Sequence, residues 1–259
     1  MPYLKSPRPT EKTAVSIHYC STGAEKKRPI LFSHGFAGAA ALWEAQHQVI
    51  SDHYHTLSWD MRGHGKSDSP DNPALYSEAH TCSDIEAILD AESVDEVVLA
   101  GHSMGGYMSL AYQLFQPERV KALILIDTGP GFKKDAPRLE WNNRAGRFAA
   151  NYEKNGLAAL PEKDPARHWH SSAQGLAHAA RGMLAQNNSN VIHALPDIKI
   201  PVLVIVGEAD KPFRRSADYL AAKIPKARLE VIANAGHTPN LEASTRFNQL
   251  VLEFLDKLN

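Results

Sequence analysis

Four short apolar runs, at residues 30–32, 97–99, 123–126 and 202–206, constrain the fold most strongly. Each run consists only of Val, Leu, Ile or Phe. A strand that is covered by helices on both faces shows this pattern, whereas a half-exposed strand alternates apolar and polar residues. Longer amphipathic stretches separate the runs, so the sequence predicts repeated strand–helix units around a mostly parallel sheet.

Turn residues and β-branched runs extend this prediction along the chain. We predict strands at residues 14–20, 29–33, 53–59, 96–100, 122–126, 202–206 and 229–232. We predict helices between them at residues 42–50, 77–91, 104–115, 216–223 and 244–257.

Residues 129–196 interrupt the alternation, because they contain no convincing strand. Helix-compatible stretches at 136–156 and 172–186 predict a helical cap, inserted after the strand that ends at Ile126. The predicted domains are therefore a core formed by residues 1–128 and 197–259, and a cap formed by residues 129–196.

The composition argues against several partners. The 28 basic and 29 acidic residues give a net charge of −1, and no basic stripe predicts nucleic-acid binding. No run approaches the ~18 apolar residues of a membrane span. The first ten residues carry three prolines and no apolar signal segment, so we expect a cytoplasmic protein, monomeric or homodimeric. The two cysteines are expected to be free thiols.

Residues 101–106 form the sharpest motif and read Gly-His-Ser-Met-Gly-Gly. A G-x-S-x-G pattern between a buried strand and a helix predicts a nucleophile elbow, in which the serine occupies a strained turn. Small residues on either side let the backbone pass closely. Ser103 would then lie at a helix N-terminus, whose dipole favours negative charge, and we predict that it is the nucleophile.

A glycine-containing loop at residues 34–38 follows an earlier strand. Acyl transfer needs two fixed N–H groups that point at the developing oxyanion. We predict the backbone N–H groups of Phe36 and Met104 for this role. We place His34 at the substrate pocket with a hydrogen-bonding role rather than proton transfer.

The predicted base and acid follow the last two strands. His237 lies between the last strand and the last helix, where its loop can reach Ser103. Asp210 follows the strand at 202–206 and would fix the tautomer of the histidine. Asp127 and Glu208 are alternative acids, and Asp210 is preferred.

The order Ser103, Asp210, His237 and the segment at residues 59–68, which reads WDMRGHGKSD, resemble the α/β-hydrolase superfamily, in particular its serine carboxylesterases. The resemblance implies a twisted sheet of about eight strands flanked by helices, with the cap after strand 6. In relatives that segment is a structural loop, so no catalytic role is assigned to Asp60 or Arg62.

A serine at the elbow excludes the haloalkane dehalogenases and epoxide hydrolases of this fold, which use aspartate. We expect a hydrolase that cleaves carboxylic esters or lactones of small to medium acyl groups. Two alternatives resemble other members of the superfamily. One is 2-succinyl-6-hydroxy-2,4-cyclohexadiene-1-carboxylate synthase, suggested by residues 127–132, although that family carries arginine where this chain has Tyr107. The other is a C–C bond hydrolase of meta-cleavage products. A non-catalytic binding protein would be expected to lack a member of the triad.

The cap should supply part of the pocket, and we predict Trp141, Phe148 and Trp169 for this purpose. The mechanism needs no metal or organic cofactor. The histidine pairs at residues 53 and 55 and at 168 and 170 lack further ligands at metal-binding spacing, so we predict no metal site.

Overall fold

The computed structural model describes residues 3–6, 15–23, 28–162 and 165–258. They form eight strands in one sheet, with helices on both faces. The strands are β1 Tyr3–Ser6, β2 Val15–Thr22, β3 Pro29–Ser33, β4 His55–Trp59, β5 Val97–His102, β6 Val120–Ile126, β7 Val202–Gly207 and β8 Ala227–Ile232. The helices are α1 Glu44–Ile50, α2 Glu78–Ala91, α3 Met104–Phe115, α4 Asp135–Asn155, α5 Ala173–Ala179, α6 Asn190–Ala194, α7 Lys211–Lys223, α8 Pro239–Glu242 and α9 Ser244–Leu255.

The strand order is β1-β2-β4-β3-β5-β6-β7-β8. The pairs β1–β2 and β2–β4 are antiparallel, and all later pairs are parallel. The predicted mostly parallel sheet is thus confirmed.

Alternate residues of the central strands feed two separate apolar layers. In β6, Leu123 and Leu125 join the layer that contains α2, α3 and α7. Their neighbours Ile124 and Ile126 join the opposite layer with α1 and α9. All four side chains are fully buried, because each face of the sheet is covered by helices. This explains why the run has no polar position.

The parallel register brings the carboxyl ends of six strands, β3 to β8, to one edge. Ser33 of β3 pairs with Gly101 of β5, and His102 pairs with Ile126 of β6. Further along, β7 pairs with β8 up to Gly207 and Ile232. The loops that follow these strands therefore meet above the same edge, where the candidate site lies.

Between β6 and β7 the described residues contain helices and loops but no strand, and the α-helices are α4, α5 and α6. The observed α4 closely matches the prediction at 136–156. The predicted helix at 172–186 is instead α5 followed by one π-helical turn at Ala180–Leu184. No helix in the described ranges is both long enough and apolar enough to cross a membrane.

Several other elements differ from the prediction. The short strand β1 was not predicted. Helix α7 begins at Lys211 rather than at residue 216, because Pro212 occupies its first turn, where the missing N–H costs nothing. The predicted helix at 42–50 begins as a 3₁₀ turn, Ala40–Trp43, and becomes α-helical at Glu44. Both cysteines are free, as expected.

Candidate active site

Ser103 occupies the sharp turn between β5 and α3. Its backbone has φ 52° and ψ −115°, a conformation that non-glycine residues rarely adopt. Four hydrogen bonds hold this strained turn. Ser103 N–H donates to the Ile126 carbonyl at 2.8 Å. The Ser103 carbonyl accepts from Gly106 N–H at 3.0 Å, Tyr107 N–H at 3.2 Å and Thr128 Oγ1 at 2.6 Å. The elbow predicted from the motif is therefore present, with the serine at a helix N-terminus.

The loop after β3 lies directly against this elbow. A Cβ atom on Gly35 would lie 2.8 Å from His102 Nδ1 and 3.1 Å from Ser103 Cβ, so no larger residue fits without displacement. The N–H groups of Phe36 and Met104 donate to no other group among the described residues. Both predicted oxyanion donors are thus unused and lie on the two segments that Gly35 brings into contact.

His237 and Asp210 meet above the carboxyl ends of β7 and β8. His237 Nδ1 lies 2.7 Å from Asp210 Oδ2, and Asp210 is 6% exposed. With Nδ1–H donating to the carboxylate, Nε2 is left as the proton acceptor. No hydrogen bond joins Ser103 to His237 in the described structure. Contacts of this kind are often longer without substrate, and His102 connects the two regions.

The His102 ring contacts His237 in a tilted arrangement, with the ring centroids 4.7 Å apart, and its Nε2–H donates to the His237 carbonyl at 2.7 Å. Burial, followed by the charge of His237, lowers the pKa of His102 to about 3. His102 is therefore neutral, and it joins the elbow to the histidine loop. No motif in the sequence predicted a role for His102.

Two further residues, to which the sequence patterns assign no role, contact the loop between β8 and α8 that carries His237, here called the histidine loop. Glu242 accepts hydrogen bonds from Gly236 N–H at 2.7 Å and from Thr238 N–H at 2.9 Å. Phe213 stacks on His237, at 5.0 Å between centroids. No local pattern pointed to either residue, because Glu242 follows Thr238 by four positions, whereas a capping box places the acid three positions after the cap.

The two alternative acids have other surroundings. Glu208 is exposed, and its carboxylate accepts from Asn234 N–H at 3.2 Å. Asp127 is 1% exposed, and its Oδ1 accepts from Gly207 N–H at 3.0 Å. Asp210 is thus the acid hydrogen-bonded to His237, with Asp127 close behind it.

A cavity of about 80 Å³ opens beside Ser103. It is mainly apolar, and no lysine or arginine occurs among its described wall residues. Gln186 is 8% exposed, and its Oε1 has no hydrogen-bond partner in the described structure. The wall is formed by Ser103, Met104, Tyr107, Thr128, Gly129, Gly131, Phe132, Trp141, Met183, Leu184, Gln186, Phe213 and Ser216.

Of the four predicted pocket residues, only Trp141 lines this cavity. The prediction for His34 is corrected, because its Nε2 accepts from Met61 N–H at 3.0 Å and its Nδ1 donates to the Gly35 carbonyl at 2.7 Å. These bonds hold the ring inside the protein, where burial lowers its pKa to about 4. Its predicted hydrogen-bonding role agrees with these contacts.

The predictions for Phe148 and Trp169 are also corrected. Phe148 stacks on the Phe36 ring, at 6.0 Å between centroids, and does not line the cavity. Trp169 lines a second cavity of about 350 Å³ near β2 and α1. Its neighbour His170 accepts from Gly65 N–H and donates to the Ala37 carbonyl, both at 2.9 Å, which ties this segment to the loops after β3 and β4.

In the described ranges, the residues close enough together to hold a metal ion are Asp127, Asp210 and His237. His237 Nδ1 and Asp210 already satisfy each other by a hydrogen bond. The geometry therefore supports proton transfer through the histidine at this place.

Known proteins share both the sequence and the fold. The model of the α/β hydrolase fold family matches residues 28–244. A putative 2-succinyl-6-hydroxy-2,4-cyclohexadiene-1-carboxylate synthase from Bacillus subtilis is 29% identical over 96% of this chain and 98% of its own length. The 3-oxoadipate enol-lactonase 1 of Acinetobacter baylyi is 28% identical, with 96% of each chain covered.

Among solved structures, a thermophilic esterase from Thermogutta terrifontis superimposes with a TM-score of 0.87. It is 25% identical, and the match covers 100% of this chain and 99% of the esterase. The residues that the family model matches include the elbow at Ser103, the glycine-containing loop at residues 34–38 and the loops that carry Asp210 and His237. The chain therefore belongs to the α/β hydrolase fold family.

Proposed function

We propose that this protein is a serine hydrolase that cleaves carboxylic esters of small to medium acyl groups. The observation that carries the proposal is the 2.7 Å hydrogen bond from His237 Nδ1 to buried Asp210, with the His237 ring in contact with His102, the neighbour of Ser103. This pairing leaves Nε2 as the base, and His237 also stacks on Phe213, which lines the same cavity as Ser103.

The mechanism follows from these positions. Ser103 Oγ attacks the ester carbon while His237 Nε2 takes its proton, and Asp210 stabilises the imidazolium. The oxyanion of the tetrahedral intermediate accepts hydrogen bonds from the N–H groups of Phe36 and Met104. His237 then gives the proton to the leaving alcohol. A water molecule hydrolyses the acyl-enzyme by the reverse path.

The cavity supports a neutral and compact acyl group. Its small volume limits chain length, and its wall lacks a cationic side chain in the described residues. The named enol-lactonase and esterase relatives act on internal or ordinary esters, which is consistent with this substrate class. Residues 129–196 would act as a cap, because Trp141, Met183 and Leu184 close the cavity from that segment.

The alternative is a reaction like that of the synthase, favoured by the relative from Bacillus subtilis. The product named for that relative bears carboxylate groups, which a cationic side chain would recognise. Here Tyr107 lines the cavity at the position after the elbow glycines, and its hydroxyl donates to Glu78 at 3.1 Å. The cavity therefore favours the ester hydrolase over the synthase.

The deciding experiment compares wild type and Ser103→Ala on p-nitrophenyl esters from acetate to decanoate. We expect hydrolysis of the shorter esters and a loss of at least about 10³-fold in the variant. Ser83→Ala is the control, because Ser83 lies on α2, outside the cavity wall, and its hydroxyl donates to the Ala79 carbonyl of the same helix. It should retain activity within about threefold.

Two results would contradict the proposal in different ways. Reaction of Ser103 with a fluorophosphonate but no ester hydrolysis would show a competent site built for another bond, and would favour the synthase or a C–C hydrolase. Absence of both reactions would indicate a non-catalytic protein.

A further inference from the structure

A second buried aspartate lies behind the proposed triad. Asp127 follows β6 directly and is 1% exposed. Its backbone has φ +43°, a left-handed conformation that is uncommon for a non-glycine residue. Its Oδ1 accepts from Gly207 N–H at 3.0 Å, so the carboxyl group is fixed at the carboxyl end of β7. The mechanism derived above does not use it.

The surroundings of the other oxygen require an explanation. Asp127 Oδ2 is buried and receives no hydrogen bond from any described donor. Nitrogen or oxygen atoms of Asp127, Asp210 and His237 all lie within 4.8 Å of one another. Two ionised carboxylates so close in a buried site repel each other and lack donors, whereas a proton on one of them supplies a hydrogen bond.

We propose that Asp127 is a neutral carboxylic acid that donates a hydrogen bond to Asp210, and that it thereby positions the carboxylate that holds His237. This inference rests on the proposed triad. Asp127 is a positioning residue, because it acts through Asp210 and does not touch the substrate. Its proton stays on Asp127 throughout, while the catalytic proton moves between Ser103, His237 and the leaving group.

The charged groups around Asp127 favour the neutral form. Burial, followed by the hydrogen bond and charge of Asp210, raises the pKa of Asp127 to about 9, and the charge of Glu242 acts in the same direction. The Gly207 N–H opposes this effect. The facing titratable groups are Asp210 on the loop after β7, His237 on the loop after β8 and Glu242 on α8. His237 is the single facing group that becomes positive, and it is held by Asp210.

The first test follows the rate at which a fluorophosphonate labels Ser103 in wild type, Asp127→Asn and Asp127→Ala. The amide keeps an acceptor for Gly207 and a permanent donor for Asp210, so Asp127→Asn should stay within about threefold of wild type at neutral pH. Asp127→Ala removes a hydrogen bond to a charged group and should lose about 10- to 100-fold.

The pH dependence separates positioning from simple packing. The wild-type rate should fall as the pH rises through about 9, because ionised Asp127 stops donating and repels Asp210. The asparagine of Asp127→Asn cannot ionise, so the labelling rate of this variant should stay constant over the same pH range. Glu208→Gln is the matched control, because it removes one negative charge from the loop that carries Asp210 without contacting Asp127 or Asp210. Its labelling rate should still fall as the pH rises through about 9.

The second test measures thermal unfolding and needs no enzymatic activity. The native state keeps the proton of Asp127 up to about pH 9, while the unfolded chain loses it near its ordinary pKa of 3.8. Wild type should therefore lose stability relative to Asp127→Asn as the pH rises through this interval. The difference in Tm between wild type and Asp127→Asn should grow from about pH 5 to about pH 9. The difference between wild type and Glu208→Gln should not grow over this range.

Several results would overturn the proposal. They are a constant Tm difference over this range, an Asp127→Ala rate equal to wild type, and an Asp127→Asn rate as low as that of Asp127→Ala. If Asp127→Asn does not fold, the infrared carbonyl band of a protonated carboxyl group can be followed in wild type. The proposal requires that band at neutral pH and its loss on the alkaline side. If Ser103 does not react at all, the proposed function fails, but the unfolding and infrared tests still decide the state of Asp127.

Discussion

Buried carboxylates occur in two regions of this protein, with opposite surroundings. In the loop after β4, Asp60 is 2% exposed and accepts from Ala40 N–H at 2.6 Å, and from His18 Nδ1–H and Lys66 N–H at 2.9 Å each. Asp84, on neighbouring α2, is bound through both oxygens by Arg62, at 2.6 and 2.7 Å. At the carboxyl ends of β6 and β7, Asp127 and Asp210 instead face each other with few donors.

The difference shows that the number of donors, rather than depth of burial, decides the charge of a buried carboxyl group. Burial alone would raise the pKa of Asp60, yet hydrogen bonds from His18, Ala40 and Lys66 lower it below its usual value. At Asp127 burial acts together with a second carboxylate, so the pKa is raised. The first region is a scaffold with paired charges, and the second retains a proton close to the proposed catalytic histidine.

The largest expected effect is the loss of ester hydrolysis on substitution of Asp210, which belongs to the second region. Asp210→Asn should lower ester hydrolysis by about 10³- to 10⁴-fold, because an amide can no longer hold the imidazolium and favours the wrong tautomer of His237. Its Tm should change little, since neutral Asp127 can still donate a hydrogen bond to the amide oxygen. Steady-state kinetics and a thermal scan check both expectations. Normal activity in Asp210→Asn would contradict these roles, because Asp127 would then be the acid that orients His237.

Asp84→Asn should have the opposite profile. It leaves the Arg62 guanidinium buried with its charge uncompensated, which costs about 3–5 kcal/mol of unfolding free energy. For a protein of this size that is a fall in Tm of about 6–20 °C. Activity per folded molecule should be preserved. Asp90→Asn, an exposed position on the same helix, is the control and should shift stability by less than about 1 kcal/mol.

Asp60→Asn should cost about 1–3 kcal/mol, because an amide nitrogen would face the donors that the carboxylate accepts. The sign of its pH dependence sharpens the comparison. A lowered pKa means that the stabilisation is present above the ordinary value of 3.8 and is lost as the pH falls below it. The stability gap between wild type and variant should thus be constant from neutral pH to about pH 5 and shrink in acid. A gap that changes mainly on the alkaline side would place Asp60 in the same class as Asp127.

The smallest effect concerns an amide beside the candidate site. Gln186 is held at its backbone by Asn142, with 2.8 Å bonds at both N–H and carbonyl, while its Oε1 lacks a partner among the described residues. Gln186→Leu should favour apolar acyl esters over acyl groups that bear a hydroxyl by about tenfold, since one polar wall group is lost. The ratio of kcat/KM for butyrate and 4-hydroxybutyrate esters measures it. An unchanged ratio would show that Gln186 does not contact the acyl group.

Most of the fold could be predicted from local patterns. The runs at β3, β5, β6 and β7 predict buried strands because every position is apolar, and Gly101 to Gly106 predict the elbow because a sharp turn needs small residues. The start of α7 was placed wrongly because Pro212 reads as a helix breaker when its first-turn position is unknown. The identity of three pocket residues was also wrong, because a side chain in a helical segment gives no local sign of which cavity it faces.

The sequence by itself determined the strand–helix order, the serine at its turn, and the two loops that end in Asp210 and His237. These features depend on the spacing of residues that are close in the sequence, so they can be recognised before the fold is known. Only the tertiary structure decided that His102 and Phe213 contact His237, and that Asp127 lies behind Asp210. Such contacts join residues far apart in the chain, because the parallel register brings separate strand ends to one edge, and the charge of a buried carboxyl group depends on the donors gathered there.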